Sequence, residues 1–453
     1  MATAIHKNEV NMTTGPIFKG LLKIAVPIMV MNVLQSIFNF LDSTMLGRFV
    51  GDVGVGSVGA CSTLISLITG LLIGVATGSN IIVARFIAKK DYERVERTIG
   101  TSILFAIVGG IVLLIIGVLM ARTFLVWMNT PANRIDGAVT YFSLYFCGCP
   151  ILLVYNFCAA ILRSAGDSKR PMYFLTLGGI IKVISNYLFL KYTSLTVEGV
   201  AFATIISWFI AGGLCFYVLL KGEGSVKLKW SKLRFYKDEL LAVLRIGVPT
   251  GIQTATYSFA NVIIASTVNT FGDHATDGIA IANTFDGIIY QIAYAPSLAV
   301  MPFVSQNVSV NSPKRVKQTL FKGCAITIMF CAVAGSISAI FSGQLSSIMS
   351  STPEVIAFSK QKMIIISSTY FICGIQDVFG ASLRGMGKAI IPTISSLVFM
   401  CGLRFVWVYL IFPLCPNLTF LYLVWPVGWV LSIITLAISF AIFFNKLKNG
   451  ELK

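Results

Sequence analysis

Charged residues are scarce in this chain of 453 residues, at 12% of the total, whereas hydrophobic residues make up 56%. Soluble globular proteins carry about twice that charged fraction. So few charges could not cover a surface that faces water. A water-soluble fold is therefore excluded, and the lipid bilayer is the expected solvent of the protein.

Sequence signatures of enzymes are also missing. No phosphate-binding loop G-x-x-x-x-G-K-[ST], G-x-S-x-G elbow or H-E-x-x-H helix occurs. The two histidines, His6 and His274, lie in polar segments, and nine of the ten cysteines fall in hydrophobic segments, where Cys acts as a small apolar residue. We therefore expect no enzyme activity, no cofactor, no metal site and no disulfide, with energy supplied by an ion gradient or by the substrate gradient.

Long hydrophobic segments fill almost the whole chain. Each is long enough to cross roughly 30 Å of hydrocarbon as a helix of about 20 residues, and none shows the alternation of a membrane barrel. We predict an all-α polytopic membrane protein with twelve transmembrane helices. In chain order, the segments are 18–47, 53–85, 98–120, 137–162, 171–191, 197–220, 239–271, 276–308, 321–349, 355–382, 389–412 and 417–444.

The chain also contains an internal repeat. The segment 162–171 recurs as 383–392, with Leu, Arg, Gly and Pro in register, and the segment 24–27 recurs as 246–249. Two six-helix lobes would then share one orientation, related by pseudo-twofold symmetry along the membrane normal. Paired repeats build many secondary transporters, whose substrate site lies between the halves.

The positions of the basic residues predict the orientation in the membrane. Lys and Arg are concentrated in the terminal tails and in alternate loops. Because cytoplasmic loops carry this excess, both termini are predicted to be in the cytoplasm of a plasma-membrane protein. The net charge of +17 follows from this topology and is no evidence for nucleic-acid binding. Six basic residues are assigned to the opposite loops: Arg48, Arg122, Arg134, Lys191, Lys360 and Lys362.

Five parts follow from these boundaries, and we expect them to form a monomer that contacts the lipid bilayer and a small-molecule substrate. The predicted parts are an N-terminal tail (1–16), an N-lobe (17–220), a basic linker (221–238), a C-lobe (239–446) and a C-terminal tail (447–453).

Polar residues within the apolar segments are the candidates for function. Asn32, Gln35, Asn39 and Asp42 are spaced three, four and three apart, which places them on one face of predicted helix 1. Such side chains hold helices together by hydrogen bonds or carry function, and a buried carboxylate must be protonated, paired or bound to an ion. The corresponding residues of the second lobe are Thr254, Tyr257, Asn261 and Ile264. A carboxylate that is present in just one of the two lobes is what an antiporter with a single ion site would need.

Four further charges lie in predicted helices. Lys182 is four residues before Asn186 on predicted helix 5, where it snorkels to the interface or reaches Asp42. In the second lobe, a carboxylate and Arg404 either form a structural ion pair, or a carboxylate attracts a cationic substrate or carries a proton. The repeat places Arg404 opposite Val183. The carboxylates concerned are Asp286 and Asp377.

The order of several motifs resembles the multidrug and toxic compound extrusion (MATE) transporters, in their bacterial branch. The motifs are L-D-S-T-M-L-G-R at 41–48, L-R-S-A-G-D at 162–167, M-T-T-G-P-I at 12–17 and D-G-I-I-Y at 286–290. The resemblance covers about residues 12–445. It implies two six-helix lobes that expel organic, often cationic, compounds in exchange for protons or sodium.

The resemblance also suggests roles for individual residues. The first-helix acid of the family falls on Asp42, and its helix 10 acid falls on Asp377. The Asn and Asp that the family commonly places on helix 5 fall on Lys182 and Asn186, and the acid that some members carry in helix 7 falls on Tyr257. Both departures remove oxygen ligands for sodium and favour protons. Asn39 completes the expected cation-coupling set.

A proposed alternating-access cycle uses these residues. Pro27 is the expected hinge of predicted helix 1, because proline removes a backbone hydrogen bond. Tyr370 is a weaker candidate for the substrate wall. The alternative function is that of a flippase for lipid-linked saccharides. Such a protein needs several inner cationic residues to hold the diphosphate, and the predicted helices of this chain offer only Lys182 and Arg404. The residues expected to line the substrate cleft are Gln35, Tyr257, Asn261, Asp286, Tyr290, Asp377 and Arg404.

Overall fold

Long helices account for nearly all of the residues that the structure describes. The computed structural model describes residues 9–128, 130–222 and 224–451, and no strand occurs in these ranges. Predicted helix 4 consists of two helices that meet at a bend of 47°. The helices, in chain order, are α1 (Ile17–Phe49), α2 (Asp52–Ala88), α3 (Tyr92–Trp127), α4 (Ala132–Cys147 and Cys149–Ser164), α5 (Lys169–Tyr192), α6 (Val197–Lys221), α7 (Lys237–Val268), α8 (Asp273–Ser309), α9 (Pro313–Ile340), α10 (Pro353–Gly385), α11 (Ile390–Leu414) and α12 (Leu418–Lys448).

Ten of these helices are each long and apolar enough to cross a membrane, and the bent α4 adds an eleventh if it forms one span. The helix outside this group, among the described residues, is α7. Its 32 residues suffice to cross the hydrocarbon, and they include the polar residues Gln253, Tyr257 and Asn261. The predicted class, an all-α polytopic membrane protein of twelve helices, is confirmed.

The helices pack into two compact units. α1 begins in the second unit and ends in the first, whereas α7 begins in the first and ends in the second. Each boundary within a helix follows shortly after a proline, Pro27 in α1 and Pro249 in α7. The predicted lobes 17–220 and 239–446 keep both helices whole, and that division stays a prediction. The first unit comprises Met1–Asn11 and Val33–Gly251, and the second comprises Met12–Asn32 and Ile252–Lys453.

Within the first unit, α2 and the beginning of α7 cross at glycines. A Cβ at Gly247 would lie 2.9 Å from the carbonyl oxygen of Val75, and a Cβ at Gly78 would meet the carbonyl oxygen of Val243. The two backbones therefore approach too closely for any side chain, as small residues allow between membrane helices. The corresponding residues of the repeat in the second unit are two fully buried alanines, Ala25 and Ala299.

The predicted basic linker 221–238 packs on the first unit. Lys229 forms an ion pair of 2.6 Å with Glu96 near the start of α3, and Arg94 pairs with Glu239 at 3.1 Å. The first pair attaches the linker to α3, and the second attaches the start of α7 to the same helix. Residues 1–8 of the predicted N-terminal tail, residue 223 and residues 452–453 lie outside the described ranges.

Candidate functional site

The first unit contains a buried ion pair. Lys182 of α5 is paired with Asp42 of α1, and Asn186 Nδ2 donates a hydrogen bond of 3.0 Å to Asp42 Oδ1. Asp42 and Lys182 are 8% and 9% exposed, and Asn186 is fully buried. Because charges removed from water must compensate each other, this cluster is electrically neutral. The structure thus brings together three of the four residues in the predicted cation-coupling set.

Close packing of α1 against α5 positions the pair. Gly179 of α5 has no room for a Cβ, because the ring of Phe38 on α1 fills that space. Asp42 follows Phe38 by four residues, and Lys182 follows Gly179 by three. Both charged side chains therefore lie one turn beyond this contact, on the facing sides of the two helices.

One acceptor in this cluster has no partner. Asn186 Oδ1 is buried and accepts no hydrogen bond from the described residues. A flip of the amide exchanges Nδ2 for Oδ1, so Asn186 can donate to a carboxylate or accept from a protonated carboxyl. The cluster is chemically able to hold Asp42 in either protonation state.

Two other predicted residues of α1 lie outside this cluster. Gln35 and Asn39 are exposed. The backbone carbonyl of Asn39 accepts a hydrogen bond of 3.2 Å from Ser43 Oγ. Asn32 belongs to the second unit, whereas Gln35 and Asn39 belong to the first. The predicted polar stripe is therefore divided, and Asn39 is not brought to Asp42.

A second buried ion pair lies in the second unit. Asp286 of α8 pairs with Lys362 of α10 at 2.9 Å, and Lys362 also donates to Asn283 Oδ1. Lys362 is 3% exposed. The sequence analysis assigned Lys362 to a loop, whereas the structure places it within α10, which begins at Pro353, with its side chain packed among the helices.

Arg404 of α11 contacts an amide and an aromatic ring. Its Nη1 donates a hydrogen bond of 2.7 Å to Asn261 Oδ1, and its Cζ lies 5.3 Å from the centre of the Trp425 ring. The Lys362 ammonium lies 5.6 Å from the same ring. No carboxylate in the described part of the chain forms an ion pair with Arg404. The structural pair that the sequence allowed between Arg404 and an acid is therefore absent there.

The backbone of α11 is irregular around Arg404. Two π-helical segments, Leu397–Gly402 and Trp407–Ile411, flank the α-helical turn Leu403–Val406. A π-helical turn holds an extra residue and is common at functional sites. The irregularity therefore changes the direction in which Arg404 leaves the helix.

This extra residue also changes the register of the repeat. In α5, Lys182 follows Pro171, and in α11, Arg404 follows Pro392. The separation in α11 is one residue longer than the separation in α5. The π-helical turn between Pro392 and Arg404 accounts for the difference. When this inserted residue is allowed for, Arg404 falls opposite Lys182, whereas the predicted correspondence with Val183 keeps the constant offset of 221.

Asp377 of α10 is buried in a separate polar network. Its Oδ2 has no hydrogen-bond partner among the described residues, and Arg384 acts on it electrostatically. The neighbouring Gln376 Nε2 donates to Tyr257 Oη at 3.2 Å, and Arg384 Nη1 donates to Gln253 Oε1 at 2.9 Å. These hydrogen bonds join α7 to α10 beside the acid.

The predicted aromatic residues differ in their surroundings. Tyr290 stacks on Tyr294 with ring centres 5.7 Å apart, and Tyr370 packs on Trp429 at 5.6 Å. Tyr257 and Tyr370 interact electrostatically with Arg404. Two of the three tyrosines are therefore close to the guanidinium.

Lys362 and Trp425 are the candidate residues that sequence reasoning missed. A signal for Lys362 was present, since it shares one face of α10 with Tyr370 and Asp377 at spacings typical of a helix. Trp425 carried no such signal, because aromatic residues also fill bundle contacts and membrane interfaces.

The fold and its buried charged clusters are those of a multi-pass membrane transporter and not of an enzyme. The MatE family model matches the chain twice, over residues 27–188 and 249–410. These matches confirm the internal repeat, and together they cover more than half of the chain. The chain belongs to the MatE family, as the resemblance of its motifs indicated.

Known relatives agree with this assignment. The probable multidrug resistance protein YoeA of Bacillus subtilis is 28% identical over 397 residues, 86% of this chain and 85% of that protein. The probable multidrug resistance protein NorM of Thermotoga maritima is 26% identical over 409 residues, 88% of this chain and 86% of that protein. An outward-facing structure of a multidrug resistance MATE family transporter of the MOP superfamily superposes with a TM-score of 0.91, at 17% identity, over 98% of this chain and 99% of that one.

Proposed function

We propose that this transporter exports amphipathic organic compounds across the plasma membrane in exchange for protons, by alternating access. The observation that carries the proposal is the buried cluster of Asp42, Lys182 and Asn186 in the first unit. A carboxylate inside an apolar helix bundle is costly and calls for a functional reason. The proposal places both termini in the cytoplasm, in keeping with the distribution of Lys and Arg.

Lys182 favours protons over sodium as the coupling ion. Its ammonium already occupies one side of the Asp42 carboxylate, where a metal cation would meet a like charge. Hard cations also need several oxygen ligands, and Asn186 adds one amide oxygen to those of the carboxylate. A proton needs only one oxygen.

Protonation of Asp42 is the proposed trigger. A proton discharges the carboxylate and leaves the buried Lys182 ammonium without a counter-charge, which is strongly unfavourable. Asn186 can turn its amide to accept from the protonated carboxyl. The cluster must then repack, and α1 can respond at Pro27, where proline removes a backbone hydrogen bond just before the helix passes between units.

The residues proposed to contact substrate are those predicted from the sequence. Asp377 supports a cationic substrate, because it has no ion pair among the described residues. Asp286 does not, since Lys362 neutralises it. The two acids therefore do not agree on the charge of the substrate, and the proposal specifies the substrates by their apolar part. The full set is Gln35, Tyr257, Asn261, Asp286, Tyr290, Asp377 and Arg404.

Transport of ethidium and of 2-naphthoate, a cationic and an anionic amphiphile, in everted vesicles tests the proposal, with proton and sodium gradients imposed separately. We expect a proton gradient to drive transport by the wild type, and Asp42→Asn to reduce it to the rate without a gradient. The double variant Asp42→Asn, Lys182→Gln removes the uncompensated ammonium and should fold normally while remaining uncoupled. Asp136→Asn is the control, because that side chain is 83% exposed.

Full proton-driven transport by Asp42→Asn would refute the coupling role. Transport driven by sodium alone would refute the choice of ion. Absence of wild-type transport under every gradient would refute export and favour the alternative, movement of a lipid-linked saccharide.

A further inference from the structure

The buried charges near Trp425 in the second unit do not cancel. Lys362 and Arg404 both lie within 5.6 Å of the Trp425 ring centre, and Asp286 is paired with Lys362. Asp377 does not supply the missing charge. In the described part of the chain it forms no ion pair with Arg404. One positive charge therefore remains unbalanced in this cluster.

The unbalanced charge is that of Arg404. A guanidinium has five N–H donors in one plane. The hydrogen bond that Arg404 forms within the described ranges goes to the neutral oxygen of Asn261, although the residue is only 4% exposed. Because a buried charge without a counter-charge is strongly unfavourable, this side chain calls for an anionic partner.

The backbone gives an independent indication. The π-helical segments Leu397–Gly402 and Trp407–Ile411 lie on both sides of Arg404. The corresponding Lys182 lies in α5, which is an α-helix throughout Lys169–Tyr192. A costly irregularity confined to one copy of the repeat points to a function specific to that copy.

We infer that Arg404, Lys362 and Trp425 bind an anionic group of the exported solute, a carboxylate or a phosphate carried by an aromatic body. The planar fork of Arg404 suits two oxygens of such a group, and the Lys362 ammonium adds a second positive charge. The Trp425 ring offers a surface for the aromatic part. This inference rests on the proposed export function and replaces the expected cationic substrate with an anionic amphiphile.

Calorimetry tests the inference by measuring how tightly four probes bind to the purified full-length protein. The probes share a naphthyl body and differ in the charge of the head group. The probes are 2-naphthoate, 2-naphthyl phosphate, neutral 2-naphthalenemethanol and (2-naphthylmethyl)trimethylammonium. We expect the wild type to bind at least one anion about tenfold more tightly than the neutral probe, as one charge-assisted hydrogen bond predicts. The ratio between the two anions distinguishes a carboxylate site from a phosphate site.

Two variants test the role of Arg404. Arg404→Gln should weaken anion binding to the level of the neutral probe and leave neutral binding unchanged. Asn261→Asp keeps the guanidinium but gives it an internal counter-charge, so it should also weaken anion binding. The control is Arg122→Gln, which removes an arginine whose side chain is 71% exposed, and its affinities should equal those of the wild type.

Tighter binding of the trimethylammonium probe than of either anion would overturn the inference. Anion preference that survives in both Arg404→Gln and Asn261→Asp would also overturn it. This assay needs no ion gradient, so it separates the two proposals. Loss of proton-driven transport with intact anion preference would refute the exporter alone, whereas intact transport without anion preference would refute this site alone.

Discussion

The two units use corresponding helices differently. In the first unit, α1 and α5 hold the Asp42 carboxylate against the Lys182 ammonium. In the second, α7 and α11 hold the Asn261 amide against the Arg404 guanidinium. The position of the basic residue is retained in both copies of the repeat, while the acid is present in one. In the proposed division of roles, the first unit takes up a proton and the second binds an anionic solute.

The second unit also has an ion pair without a counterpart in the first. Asp286 and Lys362 correspond to Ile65 and Tyr141 of the first unit, at the same offset that relates segment 162–171 to segment 383–392. Asp286 is therefore neutralised locally and leaves Arg404 unpaired. This difference shows that buried charge was placed separately in each copy on a shared helical scaffold.

Removal of Lys362 should have the largest effect on stability. Lys362→Met leaves Asp286 charged and uncompensated in the interior, which should cost about 3–5 kcal/mol of unfolding free energy. Lys182→Met should cost less, because Asp42 keeps the hydrogen bond from Asn186 Nδ2, whereas Asp286 Oδ1 has no hydrogen-bond partner among the described residues. Thermal unfolding of the detergent-solubilised variants measures this difference.

Lys360→Met is the control for Lys362→Met, because it changes the same residue type on the exposed side of α10. The double variant Lys362→Met, Asp286→Leu should recover most of the lost stability. An equal loss in Lys182→Met and Lys362→Met would remove the proposed difference between the two ion pairs.

The glycine crossing of the first unit should give a smaller effect. Gly78→Ala puts a Cβ against the carbonyl oxygen of Val243 and should lower the unfolding free energy by about 1–3 kcal/mol, as overpacking does. Ala299→Gly, at the corresponding position of the second unit, should cost at most about 1 kcal/mol. Thermal unfolding and the yield of monodisperse protein measure both changes.

Gly213→Ala provides the control for Gly78→Ala, since a Cβ at Gly213 would meet no atom within 4 Å. If Gly78→Ala were as stable as Gly213→Ala, the close approach of α2 and α7 would be wrong.

Hydropathy predicted the helices well because a membrane span needs a minimum apolar length. Predicted segment 197–220 became Val197–Lys221, and segment 276–308 became Asp273–Ser309. The spacing of Lys182 and Asn186 likewise predicted that they share one helix face, and of the two alternatives left open for Lys182 the structure shows contact with Asp42. These predictions depend on local periodicity, which a single sequence displays directly.

Three features could not be predicted in this way. The partner of Arg404 depends on π-helical turns, which add a residue without any mark in composition. The place of Lys362 was missed because counting loop charges assigns a basic residue near a helix end to the outside. The passage of α1 and α7 between compact units depends on tertiary packing, which the repeat alone does not contain.

The central claim is that the first unit couples to the ion and the second recognises the solute. Transport of 2-naphthoate in proteoliposomes, with and without a proton gradient, measures both properties as the gradient-dependent acceleration and the KM. We predict that Asp42→Asn abolishes the acceleration while KM stays within about twofold, and that Arg404→Gln raises KM about tenfold with the acceleration retained. Acceleration that persists in Asp42→Asn, or an unchanged KM in Arg404→Gln, would contradict this division of roles.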